Sequence, residues 1–483
     1  MIDTEALRKK VIDLAIQGKL TEQLPSDGGA ETLYAQIQDH KSQLINEGKI
    51  KKEKPLPDIA EDEIPFDIPG NWKWVHMGDI FDHNTGKALN NADKEGTKLE
   101  YITTSNMYWD HFELDGLKSM FFKESEIEKC TIRKGDLLIC EGGDIGRSAI
   151  WNFDYEMRIQ NHIHKLRGYG GIDHRFYFYL MRNYKDNGMI DGRGIGLQGF
   201  SAKRVHSLVV PLAPLAEQKR ISDKLEEVLA QIDIIDDLQT KYSNDLAVLK
   251  GKIIDAGIQG KLTEQLPEDG DAEDLYAQIQ NQKSQLIKEG KLKKEKPLPD
   301  IAEDEIPFEI PKNWKWVHIA TVGLTVTGTT PPKENKEYYD GEYPFFKPSD
   351  LDAGRHITVG SESLTNEGWK VSRQLRKGSI LVCCIGTIGK SAIIDVDGTT
   401  NQQINAITPI LCDSDYLLFA IDSDSFQRQL QQRARATTVT IIKKSRFDEC
   451  IIPLPTLSEQ KRIAKRINEL LSMMELIEDR GTG

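Results

Sequence analysis

The sequence repeats itself. Residues 11–76 return at 253–318 without a gap, with about 54 of the 66 positions identical, a self-similarity that only duplication explains. The runs KLTEQLP at 19–25, LYAQIQ at 33–38, KKEKPLPDIAEDEIPF at 51–66 and NWKWVH at 71–76 reappear at 261–267, 275–280, 293–308 and 313–318. The displacement is 242 residues each time. A second block keeps it: VVPLAPLAEQKRI at 209–221 is echoed by IIPLPTLSEQKRI at 451–463. Between the blocks lie two segments, 77–208 and 319–450, of matched length and largely different sequence. Their clearest common stretch is KGDLLICEGGDIGRSAI at 134–150 against KGSILVCCIGTIGKSAI at 377–393. One frame present twice, with two divergent inserts, predicts two domains of one fold that present different surfaces.

The register is cyclic. Twice the period is 484, one more than the 483 residues of the chain. An amphipathic helix is expected to run unbroken through 215–258, and its halves recur at 457–483 and 1–16. Its apolar residues step by four and three: Leu225, Val228, Ile232, Ile235, then Tyr242, Leu246, Leu249 and Ile253, with Gln239 interrupting once. That is a coiled-coil seam, which requires a partner stripe. Ile463, Ile467, Leu470, Met474 and Ile477, with Leu7, Val11 and Leu14, supply one. A helix of about 40 residues is roughly 60 Å long and makes a rigid spacer. The register further predicts that the terminal helices pack together and that Met1 neighbours Gly483. Thr456 and Glu459 have capping-box spacing at the start of the last helix, whereas the central copy has Ala213 and Pro214. Second helices are expected over 31–52 and 273–294, each followed by the extended linker EKPLPDIAEDEIPF. The inserts carry short apolar runs broken by Gly and Asp, which read as mixed α/β domains.

Composition narrows the classes. Hydrophobic residues are 39 % and charged residues 29 %, a globular and not a disordered profile. No apolar run reaches bilayer length, and the N-terminus interleaves charges with apolar residues, unlike a secretory signal. Cys130, Cys140, Cys383, Cys384, Cys412 and Cys450 form no CxxC pair and sit in apolar settings, as reduced buried thiols of a cytoplasmic protein do. The net charge of −13 argues against polyanion binding by the whole surface and leaves local basic clusters as the way to meet phosphates.

Motifs for chemistry are few. IGTIGKS at 385–391 has the tail of a phosphate loop, but Cys384 stands where the loop needs its opening glycine, and Glu141 stands there in the first copy. These glycines read as tight turns. No methyltransferase cofactor loop or Asn/Asp-Pro-Pro-Tyr run is visible, and no catalytic carboxylate pair, zinc set or Ser/His/Asp triad stands out. His162 and His164 alternate on an expected strand. No catalytic residue, metal ligand or cofactor is therefore assigned. The candidates for reading DNA are basic, amide and hydroxyl residues in or beside loops of the inserts. They are Lys87, Arg147, Arg193, Gln198, Lys203 and Arg204 in the first, and Thr329, Thr330, Lys333, Lys347, Lys390, Gln402, Gln403, Arg433, Arg435, Lys443 and Lys444 in the second. Arg and Lys suit phosphates and guanine edges, and Gln and Asn suit adenine edges.

Four motif pairs carry a family resemblance over the whole chain. Pro-Leu-x-x-Leu-x-Glu-Gln-Lys-Arg-Ile at 211–221 and 453–463 opens each spacer helix, and Ile-Gln-Gly-Lys-Leu at 16–20 and 258–262 closes it. Ile-Pro-x-Asn-Trp-x-Trp at 68–74 and 310–316 leads into each insert, and Gly-x-Ile-Gly-Arg/Lys at 143–147 and 386–390 lies inside. In combination they resemble the specificity subunits of type I restriction-modification systems. The resemblance implies an α+β chain with two mixed α/β target-recognition domains, joined by long antiparallel coiled-coil helices in a circular pseudo-two-fold arrangement. The expected division is an N-terminal helical region and linker at 1–70, recognition domain 1 at 71–212, and a central helical spacer and linker at 213–312. Recognition domain 2 follows at 313–454, and a C-terminal helix at 455–483 packs with the N-terminal one. The resemblance also implies a non-enzymatic, cytoplasmic DNA-binding subunit for a bipartite asymmetric site, partnered by two adenine methyltransferase subunits and by ATP-driven restriction subunits. S-adenosylmethionine would bind the methyltransferase, and this chain would carry no cofactor. Two other classes stay open at this point: a scaffold whose domains bind two proteins, and a fused or stand-alone methyltransferase.

Overall fold

The computed structural model describes residues 1–90, 92, 94–190, 200–294, 296–436 and 440–480. The chain divides into two compact units, Ile2–Gln239 and Thr240–Gly483, the latter with Met1.

In the first unit a short helix, Thr4–Ile16, runs antiparallel to the first part of a 44-residue helix, Leu215–Ile258. At 1.5 Å per residue the long helix spans about 66 Å. Arg8 pairs with Asp233 at 2.6 Å and Asp236 at 2.7 Å, while Asp27, further along the chain, meets Arg220 at the helix start. Leu225 and Ile232 are buried on this side. Gln239, the break in the apolar seam, exchanges hydrogen bonds with Ile2, accepting from its N at 2.6 Å and donating to its O at 3.2 Å. The second unit repeats the arrangement with other parts of the chain. The last helix, Leu457–Arg480, runs antiparallel to the end of the long helix. Ile467 lies against Gly257, where an added Cβ would sit 2.5 Å from its Cδ1, and Glu478 pairs with Lys250 at 2.8 Å.

The Glu-Gln-Lys-Arg motif has the same structural duty in both units. Gln218 Oε1 accepts from Asp173 N at 2.9 Å and its Nε2 donates to Ala213 O at 2.7 Å. Gln460 does the same with Asp413 N and Pro455 O, each at 2.9 Å. Buried Glu459 accepts from Trp314 Nε1 and Gln265 Nε2, and Glu217 accepts from Asn71 Nδ2. The motif ties the helix start to the insert and to the preceding turn, and these bonds offset much of the desolvation of its polar groups; Glu217 Oε1 and Trp72 Nε1 are buried without a partner among the described residues.

Each insert leaves and rejoins this frame through a two-stranded stem. Lys73–His76 pairs antiparallel with Val209–Leu212, and Lys315–His318 with Ile451–Leu454. His76 and His318 brace the stems, one ring nitrogen of each lying 3.0 and 2.8 Å from the linker carbonyls of Pro57 and Pro299 and the other 3.1 and 2.9 Å from the carbonyls of Ser207 and Glu449; the N–H of a neutral ring donates to one of the two. Beyond the stem the first insert forms an antiparallel sheet in the order Phe81–Thr85, Ile163–Gly168, Leu137–Cys140, Ser148–Ile150. The second forms Gly323–Thr327, Ile404–Pro409, Ile380–Cys383, Ser391–Ile394, with His356–Ile357 added in parallel at the edge. A second small sheet backs each one: Lys118–Phe122, Thr97–Ile102, Met157–Ile159, Thr131–Ile132 in the first insert, and Glu362–Leu364, Tyr339–Phe346, Thr399–Thr400 in the other. Helices His174–Asp186 and Ser414–Asp422 close the cores, with Tyr177 and Tyr416 hydroxyls donating to the stem carbonyls of Pro211 and Pro453. The two inserts share one fold.

Several expectations need correction. The second helices are shorter than 31–52 and 273–294. They span Ala30–Asn46 and Ala272–Lys288 and stop before Gly48 and Gly290, whose positive φ of 70° and 68° ends a helix. The seam is buried at Leu225 and Ile232, but Tyr242 and Leu249 are exposed, and Ile254 is buried rather than Ile253. On the last helix Leu471 takes the buried position expected for Leu470, and Ile477 is exposed. Thr456 Oγ1 accepts from Glu459 N at 3.4 Å, so half the capping box forms, while the Glu459 carboxylate turns to Trp314. Gly483 lies outside the described residues.

Candidate nucleic-acid interface

At one end of each main sheet four loop segments meet, and four of the backbone hydrogen bonds that join them recur in both units. Lys87 N donates to Ile159 O at 3.2 Å, and Thr329 N to Thr400 O at 2.9 Å. Gln160 N donates to Ile102 O, and Asn401 N to Phe346 O. Glu141 N reaches His162 O at 2.9 Å, and Cys384 N reaches Gln403 O at 2.8 Å. Phe200 N bonds Glu141 O, and Ile442 N bonds Cys384 O, both at 3.0 Å. The Gly-x-Ile-Gly turn closes in both units by Gly146 N to Cys140 O and Gly389 N to Cys383 O, both at 3.0 Å. The turn at 160–162 thus corresponds to that at 401–403, and the short helix Ala202–His206 to Lys444–Asp448.

Glycine is required where the first loop crosses the turn. A Cβ on Gly86 would lie 2.0 Å from Ile159 O, and on Gly328 2.2 Å from Asn401 O, closer than atoms approach without displacing backbone. Gly328→Ala is expected to force the loop from the turn and to lower stability by about 1–3 kcal/mol, the range for overpacking. Urea denaturation of the variant beside wild type checks this; an unchanged midpoint would refute the tight crossing.

A buried polar link fixes the fourth segment. His164 Nε2 lies 2.6 Å from Phe200 O, and its Nδ1 lies 3.0 Å from His83 Nε2. A carbonyl only accepts, so neutral His164 carries its proton on Nε2, and His83 donates to Nδ1. Burial lowers both imidazole pKa values, that of His83 to about 3. In the second unit Asn405 takes this place, accepting from Thr327 Oγ1 at 2.7 Å and donating to Ile442 O at 3.5 Å.

The candidates from the sequence separate into two groups. Six are engaged by the protein itself. Lys87 pairs with Glu126 at 2.7 Å, Lys390 with Asp352 at 2.6 Å, and Lys444 with Asp448 at 2.6 Å. Lys347 pairs with Glu362, and Arg433 meets Glu305 at 3.2 Å. Arg147 donates to Thr104 O at 2.6 Å and lies over the Tyr108 ring. The other group faces outward. Lys203, Arg204, Lys333 and Lys443 are exposed and carry no ion pair among the described residues. Arg204 lies over the Phe200 ring, its Cζ 5.5 Å from the centroid. Gln402 is exposed at its turn and accepts from Thr330 Oγ1 at 2.7 Å. Thr329 and Gln403 belong to the backbone frame already described. Arg435 lies in the short strand Arg435–Ala436; its side chain, like Arg193 and Gln198, falls outside the described residues. Sequence reading passed over Asn161 and His162, the counterparts of Gln402 and Gln403, because the registers of neighbouring stretches differ by a residue and only the backbone bonds align them.

The model of the type I restriction modification DNA specificity domain matches residues 69–241 and again 311–481. The chain belongs to this family. Among curated relatives, the type I restriction enzyme EcoAI specificity subunit of Escherichia coli is 28 % identical over 373 residues, 65 % of this chain and 62 % of the relative. The EcoEI specificity subunit of the same species is 28 % identical over 378 residues, 65 % and 61 %. The chain thus spans about three-fifths of the length of these relatives. Two solved structures share the specificity-domain fold at 18 % identity, each over 86 % of this chain. One, covered to 94 % with a TM-score of 0.60, comes from work titled as the structural basis of complex assembly and conformational transition of the type I R-M system. The other, the HsdS subunit from Thermoanaerobacter tengcongensis, is covered to 93 % with a TM-score of 0.52. Among the described residues no helix is long and apolar enough to cross a membrane.

Proposed function

We propose that this chain is the non-catalytic, cytoplasmic DNA-binding subunit of a type I restriction-modification complex, each recognition domain reading one half of a bipartite, asymmetric site. The observation that carries the reading is the pair of loop clusters that share four backbone bonds and carry different exposed side chains. A shared frame with changed surface residues suits two different sequences better than one ligand bound twice. The working division is 1–70, 71–212, 213–312, 313–454 and 455–483, as the repeat implies. Exposed Lys203, Arg204, Lys333 and Lys443 are assigned to DNA contact, with Thr330 and Gln402 beside them. The internally paired Lys87, Arg147, Lys347, Lys390, Arg433 and Lys444 serve the fold first. Thr329, Gln403, Arg193, Gln198 and Arg435 remain candidates on sequence grounds.

Two methyltransferase subunits would dock on the repeated helical frame and bring S-adenosylmethionine, with restriction subunits added for cleavage. Exposed Tyr242, Val248 and Leu249 on the long helix, and Met473, Leu476 and Ile477 on the last, support helix docking, since apolar side chains gathered in water favour a partner. The scaffold alternative predicts no DNA selectivity.

The test is the joint variant Lys203→Glu, Arg204→Glu in the purified complex. Loss of two phosphate contacts should weaken binding to all sequences by tenfold or more and flatten the log–log salt dependence by about 1 to 2. Unchanged affinity and salt slope would remove these residues from the interface. A wild-type complex that binds no DNA sequence selectively would refute the function.

A further inference from the structure

The turns at 160–162 and 401–403 lie at the centre of the loop clusters. Each is held on both flanks by backbone bonds. Asn161 N donates to Lys87 O at 3.0 Å, and the carbonyls of His162 and Gln403 accept from the neighbouring glycine-rich loops. Both turns end as they enter a buried strand, at Ile163 and Ile404. Their backbones are therefore fixed, while their side chains differ: Gln-Asn-His in one unit and Asn-Gln-Gln in the other.

The middle residue is an amide in both units. Asn161 is half-buried, and its side-chain amide has no hydrogen-bond partner among the described residues. Gln402 is exposed and uses one lone pair of Oε1 for the Thr330 hydroxyl, which leaves its Nε2 hydrogens and a second lone pair. An amide on a rigid support offers a donor and an acceptor side by side. The major-groove edge of adenine, with N6 donating and N7 accepting, is the complement of that pair. Of the other amides in these turns, Asn401 and Gln403 are tied to each other, Asn401 Nδ2 donating to Gln403 Oε1 and Asn401 Oδ1 accepting from Gln403 N, each at 3.0 Å; the neighbouring lysine and arginine side chains only donate, and carboxylates only accept.

We infer that Asn161 and Gln402 are specificity-determining residues, each reading one adenine edge in the half-site of its own unit. This rests on the proposed DNA-binding function and goes beyond it by naming the base and the residue. Exposed basic side chains nearby, Lys203 and Arg204 in the first unit and Lys443 in the second, would contribute affinity without base preference.

The experiment selects binders from a pool of duplex DNA with randomised segments, using the full-length chain assembled with its methyltransferase subunits. Wild type should return a split consensus. Asn161→Ala should relax one adenine position in one half by on the order of tenfold or more and leave the other half intact; Gln402→Ala should do the same in the other half. Asn161→Asp keeps the shape but only accepts, and should move the preference at that position toward cytosine, whose N4 donates. A consensus unchanged in all three variants would overturn the assignment, as would weakening spread evenly over all positions with thermal melting unchanged. If Asn161→Ala melts early, the isosteric Asn161→Asp decides alone: a retained adenine overturns the proposal, and a switched base supports it. A wild-type complex that returns no consensus defeats the underlying function, a result distinct from a wild-type consensus that the variants leave untouched.

Discussion

Exchanging residues 77–208 for the equivalent segment of another family member is expected to rewrite one half of the recognised sequence and leave the other half unchanged. The stem makes the exchange possible. Both ends of the insert sit on the strand pair Lys73–His76 and Val209–Leu212, and Met77 N donates to Leu208 O at 2.8 Å directly beyond it. The insert therefore leaves and rejoins the frame at one place, and its replacement need not move the helices. Repeated residues hold the stem, His76 lying beside Pro57 O and Ser207 O and His318 taking the same place in the second unit. Outside the stem, Arg175 of the insert pairs with Asp223 at 2.8 Å and Glu226 at 3.1 Å on the long helix, so the chimera keeps an arginine there. Discrimination between the old and new half-sites should change by roughly a thousandfold or more, the scale that separates specific from non-specific DNA binding. Selection from randomised duplexes, or mapping of methylated adenines in a genome carrying the chimera, measures it. A change in both halves would end the modular reading.

What the sequence revealed depends on where partners lie along the chain. The repeated motifs were legible because both copies use them alike: Gln218 and Gln460 bind the same backbone groups, and Trp72 and Trp314 are both buried. Pairings across long separations were not. Lys390 reads as a surface cation until Asp352 is seen 2.6 Å away, and Arg433 until Glu305 is placed beside it. Lys165 is a stronger case. It is buried within a strand, its Nζ donating to Lys129 O at 3.0 Å and Thr131 O at 3.1 Å, so it satisfies the end of the helix Glu124–Cys130 where composition alone would place it in water. The seam misled in its middle for a related reason. Periodicity marks which face of the helix is apolar, but not where a covering element stops, and Tyr242 and Leu249 lie beyond that cover. The proposed interface was half legible: its basic candidates could be named from the sequence, while Asn161 became a candidate only through the backbone register.

The second large effect concerns Arg462. Its Nη1 donates to Asp269 Oδ1 at 2.8 Å, its Nη2 bonds Oδ2, and Nη2 also reaches Glu264 O at 3.2 Å. The guanidinium thus clamps the turn after Leu262 to the last helix. The Asp269 side chain is only 4 % exposed, whereas that of Arg462 is 33 % exposed. Arg462→Ala would leave a buried carboxylate without its cation. Breaking a buried pair in this way costs about 3–5 kcal/mol, and water at the arginine end reduces the expectation to about 2–3 kcal/mol. Arg462→Lys should restore part of it, since an ammonium cannot make the two-pronged contact. The sign with pH follows from the carboxylate. Arg462 hydrogen bonding holds the Asp269 pKa below its ordinary value. Its contribution is therefore complete above the unfolded value of about 4 and is lost as pH falls through the lower folded value. The gap between wild type and Arg462→Ala should be full at pH 7 and shrink below about pH 4, where a protonated Asp269 no longer needs a cation. Urea denaturation at pH 7 and at pH 3 measures both gaps. A gap that stays constant across that range would show that the clamp acts through packing and not through charge.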